Sequence, residues 1–216
     1  YKHKAIEERY QSAALFPSYV QVSFGVASDL QREPGFLSRR LAEPLQLDPE
    51  TSLSCVSFRV FNFDPTFAPR GKCAVTCFLP TYNYRYWVEL RSEPERYAAE
   101  KKRIADAVLA IMERRTPGFS RGVEMIDVST PATIIRFTGN WKGSMEGFLP
   151  TPRTGFGPFR RQLPGLRGFV MVGQWVQPGG GLPAGLMTAR VALHAICRED
   201  RIPFRLPEPA TRNAAA

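Results

Sequence analysis

The sequence predicts a mixed α/β fold of the α+β kind: an antiparallel-rich sheet, then a single strand, glycine loop and helix. Three observations predict it. Val20, Val22, Phe24 and Val26 alternate with Gln21, Ser23 and Gly25, the period of a strand with one packed face. Past Ser92 the spacing becomes helical, with Tyr97, Ile104, Val108 and Ile111 on one stripe. Residues 168–172 are an unbroken apolar run leading through Gly179, Gly180 and Gly181 into Leu182, Leu186, Ala189, Leu193 and Ile196, spaced in threes and fours.

After the first strand, residues 35–51 carry two prolines and little periodicity, so they are expected to form a connection. Val56, Phe58 and Val60 restore the alternation, and the Pro- and Gly-punctuated DPTFAPRGK leads into a second alternating run, Cys73, Val75, Cys77 and Leu79. These two strands are expected to pair as an antiparallel hairpin. For the long helix, Ser92 as N-cap with Glu95 three positions later reads as a capping box, and Pro94 sits in the first turn, where its missing N–H costs little. Thr116, Pro117 and Gly118 end it. GVEMIDV is a further strand, and Ser129 or Thr130 ahead of Pro131 caps a short helix ending near Gly139. Residues 149–167 mix Pro, Gly, Phe and Arg without a period, the composition of a long loop. The final residues have no means of packing and are expected to fray.

With 44% hydrophobic and 23% charged residues in 216, the chain is ordinary globular material, and no apolar stretch reaches the ~18 residues of a spanning helix. The absence of a basic, apolar, small-residue succession at the start makes the cytoplasm the expected compartment. Beginning at Tyr1, the chain reads as a piece of a longer protein. The net charge of +9 favours anionic partners, but the basic residues are scattered in doublets such as Arg39-Arg40 and Arg114-Arg115, the distribution of a solvated surface. Cys73 and Cys77 stand about 13 Å apart along a strand at ~3.3 Å per residue, too far to share a disulfide or a zinc ion. With Cys55 and Cys197 they read as reduced, mostly buried thiols, and no metal site is expected. His3 and His194 are too few and too separated for a catalytic dyad.

The chemistry is concentrated in GQWVQPGGGLPAGLMTAR. A strand, a glycine loop and a helix with Pro183 in its first turn present free N–H groups and the positive end of the helix dipole to a ligand, and glycines let that ligand approach the backbone. The glycines serve equally well as a turn with close helix packing. The loop is not a G-x-G-x-x-G fingerprint, and the segment reads as the last unit of a sheet whose other strands lie elsewhere.

PSYVQVSFGV, DPTFAPRGK, STPATIIRFTGNWKGSMEG and GLRGFVMVGQWVQPGGGLPAGLMTAR together resemble the phytoene desaturase and carotenoid isomerase group of FAD-dependent oxidoreductases, within the amine-oxidase-like flavoproteins. The resemblance implies a substrate-binding domain in residues 1–128, the closing segment of a Rossmann-like FAD-binding domain in 129–205, and a disordered tail in 206–216. It makes Gly173, Gln174, Pro178, Gly179, Gly180, Gly181, Leu182 and Pro183 the flavin contacts, with the ADP-binding half of the cofactor site in a missing N-terminal half. Many relatives carry Asp where Gln174 stands, so the ribityl hydroxyl would here meet a neutral acceptor.

The activity implied is desaturation, isomerisation or saturation of an apolar polyene or isoprenoid, with peripheral membrane contact to collect it. The chain alone is expected to be inactive. No catalytic residue is assigned; Glu146 is the first carboxylate to consider, and an exposed loop glutamate is the simpler reading. The resemblance also predicts that Gly180→Val removes flavin and spares the secondary structure. The alternative is a non-catalytic basic module for anionic lipid or RNA built on Phe156, Phe159, Arg160, Arg161 and Arg167. Nucleic acid is the weaker partner, because the strand aromatics Phe24 and Phe58 fall on apolar faces.

Overall fold

The computed structural model of the protein describes residues 3–155 and 157–205. The chain forms two compact units, residues 17–145 and residues 1–16 joined to 146–216, bounds that differ from the functional division at residue 128. The segment expected to fray at the end, 206–216, lies outside the described residues.

The unit of residues 17–145 is built on five strands, β1 (Ser18–Val26), β2 (Phe36–Asp48), β3 (Thr51–Val60), β4 (Cys73–Thr81) and β5 (Val123–Ser129), in the order β2-β3-β4-β1-β5. Every pairing is antiparallel, as expected, and β3 and β4 form the expected pair. Strict alternation along β1 and β4 sends Val20, Val22, Phe24, Cys73, Val75, Cys77 and Leu79 to one face, all nearly inaccessible. Each such Val, Leu or Phe contributes about 1.5–3 kcal/mol by leaving water. The same core holds Trp87 of α2 (Tyr84–Leu90) and Ile104, Val108, Ile111 and Met112 of α3 (Pro94–Arg115). Burial pushes the thiol of Cys77, and less strongly that of Cys73, away from the reactive thiolate. Cys55 is exposed and Cys197 only half-buried, so the expectation of mostly buried thiols holds for two of the four.

Residues 35–51 are a strand and a tight turn rather than a connection. β2 is an edge strand with most of its side chains in solvent, which erases the alternation a sequence reading relies on. It also bulges: Arg40 pairs with Cys55 and Leu45 with Leu53, so residues 41–44 face Ser54 alone. Pro44 is tolerated there because a bulge on an edge asks for no ladder N–H. At the far end of β2, the buried Asp48 carboxylate accepts the Thr81 hydroxyl at 2.7 Å, the Asn83 side-chain amide at 3.2 Å and the Glu50 N–H at 3.0 Å. Asn83 in turn caps α2 by accepting the Tyr86 N–H.

Ser92 does not cap α3. Its hydroxyl donates to Glu89 O at 2.7 Å and closes α2, a helix the sequence reading missed, while Glu93 is the N-cap of α3 without a side-chain capping bond. Pro94 occupies the first turn as expected. At the other end Glu113 accepts the N–H groups of Gly118 and Ser120, both at 2.7 Å, and the Ser120 hydroxyl. These bonds to the charged form hold its carboxyl at about 2, below the ordinary 4.5. A depressed carboxylate contributes stability that is complete above its unfolded pKa and lost as pH falls through the folded one. Acid-unfolding curves of Glu113→Gln and the parent should therefore differ at neutral pH and converge between pH 4.5 and 2. A constant offset down to pH 2 would show that the carboxylate charge is not what holds this turn. β5 leads into α4 (Pro131–Thr138), whose N-cap is Thr130 and which Gly139 ends with φ +67°, both as the sequence predicts; Thr133, which the sequence reading did not single out, accepts the Thr130 N–H at 3.2 Å.

The second unit contains α1 (Lys4–Ser12), absent from the sequence reading, and α5 (Gly181–Glu199). Between them Phe148 is fully buried among the rings of Tyr10, Phe159 and Trp175, with centroids 5.3–5.4 Å away. Residues 149–173 are irregular among those described. The expected strand at 168–172 is not formed. A strand apolar on both faces needs neighbours to pair with, and here Phe169 and Val172 are about half exposed while the Met171 N–H bonds back to Arg161 O at 2.8 Å.

Candidate functional site

Where the sequence placed a strand–loop–helix, the structure has a loop–helix. Gly173 opens it with φ +106°, a 3-10 turn follows over Gln174–Val176, and Gly179, Gly180 and Gly181 carry φ of +93°, +43° and +72°. Three successive residues of positive φ can be supplied cheaply only by glycine, so the bare backbone ahead of α5 is a requirement of this turn. The loop is held at both ends. The Gly173 N–H donates to the buried Thr188 Oγ1 at 2.8 Å, and the Gly179 N–H donates to Phe148 O at 3.0 Å. Thr188 had no part in the sequence reading; its hydroxyl also donates to Ala184 O at 2.7 Å.

Of the expected contacts, Gly173 and Gly179 leave open space where a side chain would stand, and Leu182 and Pro183 are exposed at the helix start. Gln174 is half-buried, and Pro178 and Gly180 are buried. Gly180 faces inward: a Cβ built on it would lie 1.6 Å from Glu146 O. Gly180→Val therefore cannot remove a ligand while sparing the fold, because the clash is with backbone of the same unit. Glu146 is a loop residue as expected, but half-buried rather than exposed, its Oε1 being 3.2 Å from where a Cβ on Gly181, at the start of α5, would stand.

A carboxylate at this position decides what the helix end can hold. It already complements the dipole of α5 and would repel a phosphate, but it accepts hydrogen bonds from hydroxyl or ring N–H groups. The residues thus fit the uncharged ribityl and isoalloxazine half of FAD, against open backbone at Gly173 and Gly179, and not its pyrophosphate.

Among the described residues α5 leaves its apolar stripe without a partner, as expected of a helix whose sheet lies elsewhere. Ala184, Thr188 and Ala192 are its buried residues, while Leu182, Leu186, Leu193 and Ile196 are 40–91% exposed. Small residues pack the helix closely, and the apolar stripe faces outward. In the long loop Phe159 is not offered to a ligand: the Arg9 guanidinium lies 3.8 Å over its ring and Phe148 meets it edge-on. Arg160, Arg161 and Arg167 are spread along irregular chain, and Phe156 lies outside the described residues. Among the described residues no three His, Cys, Asp or Glu side chains are grouped to hold a metal ion, and no helix is long and apolar enough to cross a membrane. No protein-family model and no curated protein matches the chain.

Proposed function

We propose that the protein is an FAD-dependent oxidoreductase of the phytoene desaturase-like kind, acting on an apolar polyene or isoprenoid. The observation that carries this reading is the left-handed glycine loop ahead of α5, with bare backbone at Gly173 and Gly179 and the Glu146 carboxylate beside the helix start. The motifs quoted above give it its chemical identity. Bound flavin supplies the hydride chemistry. The chain's own part is to position and exclude: Gly179 and Gly173 admit a flat ring to the backbone, Gln174 and Glu146 offer acceptors to ribityl hydroxyls, and the exposed apolar side of α5 supports docking with a nucleotide-binding half that holds the ADP moiety. On this reading the protein works in the cytoplasm and takes its substrate from a membrane surface.

The complete protein should be isolated yellow and release noncovalent flavin on denaturation. Gly179→Ala should then lose the flavin with its secondary structure intact, since no protein atom stands within 4 Å of the added methyl group. Colourless protein that cannot be reconstituted with FAD would overturn the proposal.

A further inference from the structure

In the unit of residues 17–145, β2 and α3 enclose a groove of about 580 Å³, within the range of ligand sites. The two elements run in opposite directions: Arg103 Nη2 donates to Leu47 O at 3.3 Å near one end, and Arg115 pairs with Glu33 at 3.2 Å near the other. Arg114 is therefore brought to the end where Arg39, paired with the buried Val56, faces the groove just before the bulge, while Arg40, paired with the exposed Cys55, borders the groove with its side chain on the other face of the sheet. None of them makes an ion pair among the described residues, and Glu43 is the one carboxylate in the lining. Away from the guanidinium groups the walls are apolar. Ala107, Ala110 and Ile111 lie on one face of α3, Leu41 and Pro44 come from the bulge, and Leu45 follows it. Small alanines keep the helix side hollow, and residues 107–114 span roughly 10 Å at ~1.5 Å per residue.

A cationic end continued by an apolar trough matches an amphiphile. Guanidinium groups favour carboxylate or phosphate oxygens, and the trough removes a chain from water. We propose that this groove binds a single-chain amphiphile with an anionic head, the head on Arg39 and Arg114 and the chain along Ala107 and Leu45. The site is separate from the flavin reading and stands or falls without it.

The test is calorimetric titration of the protein with decanoate and decyl phosphate below their micellar concentrations, with decanol and inorganic phosphate as the halves of the ligand. Saturable one-site binding of either anionic amphiphile is expected, at least tenfold tighter than either half; which head binds tighter distinguishes a fatty carboxylate from a phosphorylated lipid. The Arg39→Gln, Arg114→Gln double variant should lose at least tenfold in affinity and most of the salt dependence, whereas Arg40→Gln, on the other face of the sheet, should lose little. Ala110→Trp, at an exposed helix position, should block the trough with the fold unchanged by circular dichroism. Absence of saturable binding, equal affinity for decanol, or full affinity in the folded Ala110→Trp protein would each overturn the proposal.

Discussion

Gly180→Ala is expected to open the unit that carries α5 and to cost about 3 kcal/mol or more. The residue combines φ +43° with ψ −151°, a conformation worth about 1–3 kcal/mol of strain for any residue with a Cβ, and the added carbon would stand 1.6 Å from Glu146 O. Relaxing that contact means separating residues 146–148 from 178–181, so the Gly179 N–H bond to Phe148 O must break and the ring cluster around Phe148 loosens. Hydrogen exchange should show lost protection at 147–149 and 177–184, with β1 and β4 unchanged. Gly179→Ala is the control: it has a left-handed φ of +93° but nothing to strike, so about 1 kcal/mol is expected. Equal behaviour of the two variants would mean that backbone conformation alone, and not the close approach to Glu146, makes the triplet necessary.

Asp48→Ala should lower the stability of the sheet's unit by about 3 kcal/mol. The substitution removes a buried acceptor and leaves the Thr81 hydroxyl, the Asn83 amide and the Glu50 N–H without the partner they have now. An unmade bond to a buried donor costs about 1–3 kcal/mol, more than the bond contributes when made. The effect should extend to α2, because Asn83 is both a partner of Asp48 and the cap of that helix. Urea unfolding followed by far-ultraviolet dichroism gives the number, and Asp48→Asn, which keeps two acceptor lone pairs and the shape, should recover part of it. A loss below 1 kcal/mol would assign the network to solvent-compensated surface.

What was legible in the sequence was whatever burial had written in a regular period. β1, β3, β4 and the α3 stripe at Ile104, Val108 and Ile111 are sealed on one side, so their side chains alternate or recur. β2 was invisible because both its faces meet water near its start and its bulge breaks the register. Ser92 was assigned to the wrong helix because a serine between two helices can serve the carbonyl behind it as well as the amides ahead. The stripe of α5 was legible as one with no sheet in this chain to cover it; what no pattern announced is that Ala184, Thr188 and Ala192 form the packed side. At the candidate site the glycines were legible as glycines, whereas their partner was not. Glu146 lies 34 residues before Gly180, and no local pattern announces that contact.

The strand order has a consequence for how the protein comes into being. β1 leaves the ribosome before the other four strands of its sheet, yet Val22 finds its neighbours only in Cys77 and Val128. β2, β3 and β4 can pair as they emerge, each with the one before it. The apolar side of β1, with its valines and phenylalanine, must therefore wait in the nascent chain through roughly fifty residues of synthesis before β4 pairs beside it and roughly ninety before the whole of α3 has emerged to pack on it, several seconds or more at ~5–20 residues per second. That interval makes residues 18–26 the natural holding site for a chaperone during synthesis.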